Sequence, residues 1–154
     1  TDTVNVHQYV DLLIGVTPII NIEWMQKIHR DKEIRGYSPE DATELILSRM
    51  HDYTHYITPQ FSRTDINFQR VPTVDTSNPF AARKVPTNDE SFVVIHIRNQ
   101  EKIKVDFQDL MNMLSGSFMT TPNTFVVPAG KMIFAMQLIT NPLIRNLMKN
   151  KNSP

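Results

Sequence analysis

The chain has 154 residues, with 16 Lys and Arg against 16 Asp and Glu, five His, four Gly and no Cys, and 40% of its residues are hydrophobic. A chain of this length buries about 68–70% of its unfolded surface, so one domain over 1–154 needs no disulfide or metal staple, and without Cys there is no thiolate nucleophile and no Cys-based zinc site. A net charge of zero argues against a general nucleic-acid binder, which keeps an excess of Lys and Arg for phosphates, and the apolar run at 12–16 is far below the ~20 residues that span a bilayer. No basic-then-apolar leader of the secretory kind opens the chain, so the reading is a cytoplasmic protein without nucleic-acid or membrane partners. The chain starts at Thr1 and its first methionine is Met25, which reads as part of a longer protein.

Residues 11–16 form a short apolar run ended by Thr17 and Pro18, the pattern of a buried parallel strand. A helix is expected next, with Asn21 as N-cap, Ile22, Met25 and Ile28 at helical spacing, and Gly36 as the stop. Ser38, Pro39, Glu40 and Asp41 form a second start signal, with Ser as N-cap and Pro at the first helical position. That helix is expected to run through Leu45, Met50 and Tyr53 to about Tyr56. Pro59, Pro72, Pro79 and Pro86 then exclude long helices. Ile66, Phe68 and Val71 alternate as in a strand, and 75–79 reads as a turn with a helix start. Residues 92–97 predict a strand, 106–114 a short helix and 124–127 a third strand. A last helix spans about 131–149, kinked or interrupted by Pro142, and 151–154 reads as a flexible tail. Strands alternating with helices imply an α/β fold, a mixed sheet flanked by helices.

The informative segment is 27–36. At about 100° per residue, Lys27, Arg30, Asp31 and Arg35 share one stripe of a helix, so three cations surround one carboxylate. Spacing leaves two readings open. One is a solvated face laced by Lys27/Asp31 and Asp31/Arg35 pairs, each worth about 0.2–0.5 kcal/mol. The other is a phosphate clamp in which the cations reach around a phosphoryl group and the carboxylate orients a cation or a magnesium-bound water. Glycine occurs only at 15, 36, 116 and 130, so no G-x-x-x-x-G-K-[ST] phosphate cradle lies in these residues. His29 reads as a packed or surface histidine. His51 and His55, spaced i,i+4, could bind a metal but lack further ligands and read as surface residues. Arg63, Arg70 and Arg83, with Gln69, Asp75 and Ser77, read as loop packing or a subunit contact, with a substrate-side role as the alternative. The eight methionines read as adaptable core.

The blocks VDLLIGVTPIINIEWMQKIHRDKEIRGYSPEDATELILSRMHDY, ITPQFSRTDINFQRVPTVDTSNPF and FVVPAGKMIFAMQLITNPLI cover most of the chain and closely resemble the C-terminal half of bacterial-type phosphoribulokinase. The R-D-x-x-x-R-G element alone is less specific, since uridine kinases carry a similar one. The resemblance implies the C-terminal part of a P-loop kinase of nucleotide-kinase-like architecture. Such an enzyme moves the γ-phosphate of MgATP to the 1-hydroxyl of ribulose 5-phosphate, giving ribulose 1,5-bisphosphate for carbon fixation. ATP and ribulose 5-phosphate are the implied partners, Mg2+ accompanies ATP, and a homo-oligomer is expected. Lys27 and Asp31 match catalytic positions, Asp31 near the magnesium-nucleotide centre and Lys27 near the transferring phosphoryl. Arg30 and Arg35 match arginines that hold the sugar phosphate or the developing charge, and Arg49 matches a position linked to regulation. The family's P-loop and catalytic-base aspartate fall outside the aligned part, so the chain by itself is expected to be inactive.

Many members are activated by NADH, and two arginines associated with that effector fall at His96 and Thr121, where the permanent cations are lost. Weak NADH activation is therefore implied near neutral pH, unless Arg98 or Lys131 replaces the charge. Two other functions stay open: a related uridine-kinase-like or other sugar kinase, and a non-catalytic segment that binds phosphorylated ligands or mediates assembly.

Overall fold

The computed structural model describes residues 6–81 and 84–151. Five strands, β1 (Ile14–Pro18), β2 (Ile66–Pro72), β3 (Ser91–Ile97), β4 (Phe118–Thr121) and β5 (Thr124–Pro128), form one mixed sheet in the order β1-β2-β3-β5-β4. β1 is parallel to β2 and the other neighbours are antiparallel. A parallel pair needs a long crossover. Here it consists of α1 (Ile20–Arg35), α2 (Pro39–Ser48), the single turn α3 (Met50–Asp52), a π turn at Tyr53–Ile57 and a 3-10 segment at Thr58–Ser62. The helices α4 (Phe107–Met113) and α5 (Met132–Lys151) complete the fold.

Alternation divides the sheet into two faces. Ile66 and Phe68 of β2, Val93, Ile95 and Ile97 of β3, and Phe125 and Val127 of β5 are buried with Leu110, Leu114, Ala135 and Ile139 in the main core under α4 and α5. Partly buried Met111, Met119, Met132 and Met136 pack around it, as adaptable gap-fillers do. The opposite face carries Asn67, Gln69, Val94, His96 and Thr124, which share a cavity with Tyr53, Thr58 and Phe61 of the crossover. A second, smaller core of Ile28, Ala42 and Ile46, with Trp24 against it, joins α1 to α2.

One buried carboxylate ties the strand ends together. Asp65, 6% exposed, accepts hydrogen bonds from the Leu13 N–H (2.8 Å), Asn99 Nδ2 (3.3 Å) and Lys102 Nζ (2.7 Å). Its own N–H donates to the Leu13 carbonyl, and its carbonyl accepts from the Arg98 and Asn99 N–H groups. Burial pushes the Asp65 carboxyl up, but the Lys102, Leu13 and Asn99 donors outweigh it and hold the group below the usual carboxylate range.

The structure moves several expected boundaries. β1 starts at Ile14 rather than residue 11, and although parallel it is an edge strand: Ile14 is 37% and Val16 53% exposed. The N-cap of α1 is Ile19, without a side-chain cap. Asn21 lies inside the helix and spends its amide on the Thr76 carbonyl, 2.8 Å away. Ser38 caps α2 as expected, accepting from the Asp41 N–H at 3.0 Å. The helix expected to reach about Tyr56 ends at Ser48 and continues irregularly through the π turn. Residues 75–79 make turns, with Asp75 accepting from the Ser77 N–H, and no helix. β4 was not anticipated, because its four residues are only lightly buried and show no apolar period. α5 passes through Pro142, an exposed position, without interruption. Residues 152–154 of the expected tail, and Arg83, lie outside the described residues.

Gly15 is required by close packing. A Cβ there would collide with Asn67 Oδ1 and sit 3.0 Å from Phe61 Cδ1. Asn67 cannot swing away freely, since its Oδ1 accepts from Thr64 Oγ1 at 2.7 Å and its Nδ2 donates to the Phe61 carbonyl at 3.2 Å. Gly15→Ala should therefore lower unfolding free energy by about 1–3 kcal/mol, the range for overpacking. Gly130→Ala, with nothing within 4 Å, should not, and parallel urea titrations of the two variants check the difference.

Candidate functional site

α1 ends where Gly36 adopts the left-handed conformation (φ 70°) and turns its N–H back to the Asp31 carbonyl, the role glycine fills at helix C-termini. Tyr37 donates to the same carbonyl at 3.1 Å. Asp31 is thereby fixed close to the negative end of the helix dipole, a poor place for a carboxylate. Three cations compensate. Lys27 Nζ lies 2.6 Å from Oδ2, Arg35 Nη1 3.1 Å and Arg30 Nε 3.5 Å from Oδ1. The Asp31 side chain is fully buried while those of Lys27, Arg30 and Arg35 stay 23%, 53% and 52% exposed. The hydrogen bond from Lys27 is the main reason the Asp31 carboxyl sits below the usual range. Burial opposes it, and the charges of Lys27, Arg35 and Arg30 add to it.

The stripe read from the sequence is thus assembled as expected, with one consequence that spacing does not show. Three positive charges converge on one negative charge, so the cluster keeps an excess of two and faces it outward through partly exposed side chains. Such a patch binds anions, and guanidinium forks suit phosphate oxygens. Both Asp31 oxygens are engaged by cations, and no group of three or more metal-ligating side chains occurs among the described residues. Asp31, held by these cations, is poorly placed to ligate a magnesium ion directly.

Lys27 also lines a cavity of about 390 Å³ between α1 and α2–α3, with Arg49, Glu23, Asp52, Trp24 and Tyr53. Arg49 is exposed there, so it and a member of the charged stripe face one space. Tyr53 Oη donates to Glu23 Oε2 at 3.2 Å, and burial, followed by the neighbouring Glu23 charge, pushes the phenol up. Nothing in the sequence marks this pair: the two residues are thirty positions apart. Nor does anything mark Asp65 and Lys102.

His96 and Thr121 are brought to either side of one residue. His96 of β3 and Thr121 of β4 both pair with Thr124 of β5, and Thr124 Oγ1 lies 2.9 Å from His96 Nδ1. Thr121 is exposed and donates to Asn123. Of the two cations considered as replacements, Arg98 lies at the same strand end, in a polar cavity of about 830 Å³ that also contains Arg63 and Asn123. Lys131 follows the far end of β5 and is bonded to Ser115. His29 is half-buried with Nε2 lacking a partner, and Arg70 Nε is likewise buried and unpartnered while its Nη2 donates to the Pro86 carbonyl. His51 and His55 stack at 4.0 Å, and His55 Nδ1 is committed to the His51 carbonyl, so the two rings do not converge on one point.

Because the folded-state pKa of Asp31 is depressed, its contribution to stability is complete above the ordinary carboxylate value and is lost as pH falls through the folded value. The stability of the wild-type chain should therefore fall with acid from about pH 4 downward. Asp31→Asn should be less stable at pH 7 and show a shallower acid dependence, measured by thermal melts at pH 7, 5, 4 and 3.

The model of the Phosphoribulokinase / Uridine kinase family matches residues 1–77. The phosphoribulokinase of Xanthobacter flavus is 58% identical over 151 residues, 98% of this chain and 51% of that protein. A probable phosphoribulokinase of Escherichia coli K12 is 60% identical over 147 residues, covering 96% of this chain and 50% of that protein. A solved phosphoribulokinase from Rhodobacter spheroides superposes with a TM-score of 0.91 at 54% identity, over 99% of this chain and 54% of that one. The chain spans about half the length of the relatives it matches, and its mixed sheet flanked by helices is shared with a P-loop kinase. With half its residues matched by the family model and close identity along almost all of its length, the chain belongs to the Phosphoribulokinase / Uridine kinase family.

Proposed function

We propose that this chain supplies the anion-handling part of an ATP-dependent kinase that phosphorylates the 1-hydroxyl of ribulose 5-phosphate. The observation that carries the reading is the buried Asp31 holding Lys27, Arg30 and Arg35 on one helix face, in a chain whose relatives are named phosphoribulokinases. Phosphoryl transfer is catalysed largely by positioning and by cations placed where charge spreads over the transferring oxygens. In this reading Lys27 meets the transferring phosphoryl, Arg30 and Arg35 hold the sugar phosphate or the developing charge, and Asp31 orients all three toward the magnesium-bearing nucleotide. Arg49, His96 and Thr121 are assigned to regulation, and a homo-oligomer in the cytoplasm is the working assembly.

The test is a chimaera in which this chain replaces the matching segment of the Xanthobacter flavus enzyme. It should form ribulose 1,5-bisphosphate from MgATP and ribulose 5-phosphate. A folded chimaera that phosphorylates uridine and not ribulose 5-phosphate would move the chain to the other branch of the family. The 154 residues alone should release no ADP, since they contain no glycine-rich phosphate cradle. In the active chimaera, Asp31→Asn should lower turnover at least ~10²-fold, the scale of a lost electrostatic catalytic group. Arg35→Lys, which keeps the charge and loses the planar fork, should raise the KM for the sugar phosphate before that for ATP. Near-normal turnover of Asp31→Asn would return the cluster to a surface ion-pair network.

A further inference from the structure

Lys27 stands between two acids on α1. Glu23 precedes it and Asp31 follows it at the i,i+4 spacing, so the three side chains lie along one row of the helix that drifts about 40° per step. Spacing alone favours the first partner, because an acid four residues before a Lys makes a better helical pair than the reverse order. The structure shows the opposite choice. Lys27 Nζ sits 2.6 Å from Asp31 Oδ2, and Glu23 makes no ion pair among the described residues. Burial of Asp31 draws the ammonium toward it, yet Arg35 and Arg30 already serve that carboxylate, so its need does not by itself leave Glu23 without a cation.

The crossover supplies the missing cause. Tyr53 Oη donates to Glu23 Oε2 at 3.2 Å. Burial and the Glu23 charge push the phenol up, so it keeps its proton at neutral pH and remains a donor. Glu23, Lys27 and Tyr53 line the same cavity of about 390 Å³, and a lysine on its flexible four-carbon stem has room there to swing to Glu23 once the hydroxyl is gone.

We propose that Tyr53 and Glu23 are positioning residues for Lys27: the phenol hydroxyl engages Glu23 and so keeps the ammonium on Asp31, inside the cation cluster. This rests on the reading in which Lys27 meets the transferring phosphoryl, and both residues act through Lys27 rather than on the substrate. Glu23 and Asp31 are about 12 Å apart along the helix, so a lysine shared between them leaves the cluster for part of the time. A charge that must be in place before the reaction begins is then missing from it.

The test uses the chimaera with the Xanthobacter flavus enzyme and, separately, the chain of 154 residues. Tyr53→Phe keeps the ring and removes the hydroxyl. In the chimaera it should lower kcat about three- to tenfold, the effect of one net hydrogen bond, with the KM values for MgATP and ribulose 5-phosphate within about twofold of the parent. Adding Glu23→Gln removes the competing acid and should restore most of the lost kcat, although the hydrogen bond stays broken. A purely structural role gives the reverse, since single and double variant both lack the bond. In the chain itself, NMR titration of the Asp31 carboxyl carbon reads the same contact without any activity. Its pKa should move up in Tyr53→Phe as Lys27 leaves and come back down in the double variant. Circular dichroism melts verify that each variant folds. An unchanged kcat in Tyr53→Phe, or a double variant as slow as the single one, overturns the proposal. A chimaera that makes no ribulose 1,5-bisphosphate counts against the kinase reading alone, and the titration then decides: an Asp31 carboxyl that Tyr53→Phe leaves where it was overturns the positioning role as well.

Discussion

Asp65 is the constraint on which the sheet depends. A carboxylate removed from water must recover its lost hydration from donors nearby, and Asp65 finds them on the segment before β1, on the loop after β3 and on Lys102. Its backbone joins the same partners. The parallel pairing of β1 with β2 and the antiparallel pairing of β2 with β3 therefore start from one residue, and the register of three strands is set at that point. One cation and two neutral donors balance one negative charge, so nothing is left over for a ligand. Asp31 is the opposite case. It is as well buried, but its partners carry three positive charges, and the surplus has nowhere to go except outward. Two buried aspartates of one chain thus differ in how many charges surround each: Asp65 is balanced within the fold, and Asp31 leaves a surplus of positive charge at the surface.

Much of this was legible in the sequence for a physical reason. The stripe of Lys27, Arg30, Asp31 and Arg35 depends only on helical geometry, and Gly36 and Ser38 mark boundaries through local backbone chemistry, so both are readable from neighbours in the chain. The alternation of buried and half-buried residues in β3 is equally local. What escaped is what depends on distant partners. Asn21 has the side chain of an N-cap but is drawn to the Thr76 carbonyl, leaving Ile19 to begin the helix. The apolar composition of β1 points to burial, whereas in the sheet of the described residues the strand lies at the edge with Ile14 and Val16 exposed. The pairs Tyr53–Glu23 and Asp65–Lys102 carry no signal of spacing at all.

The π turn shows how one local irregularity reorganises a larger region. A regular α-helix through this region would have turned Thr58 about 140° away from Tyr53. The widened turn instead gathers them over β1 and β2, and Gly15 is the price on the sheet side. Tyr53, at which that turn begins, donates its hydroxyl to Glu23 on α1, the helix that holds the cation cluster. The crossover is therefore more than a connection between parallel strands: it sets the spacing between the charged helix face and the neutral sheet face.

Net charge is a poor guide to what such a chain binds. With equal numbers of acidic and basic residues, the molecule has no long-range field to gather anions, and its attraction for phosphate must act at contact distance. At about 8 Å the screening length in physiological salt is close to the size of the cluster itself, so a phosphate group feels Lys27, Arg30 and Arg35 together only when it is already among them. Burying Asp31 under those side chains keeps them gathered against their mutual repulsion before any ligand arrives, and lowers the reorganisation needed when one does. A more exposed carboxylate would hold the cations less firmly, and a second carboxylate would cancel much of their surplus. One buried acid among three partly exposed cations meets both requirements, the arrangement that the proposed phosphate-holding role calls for.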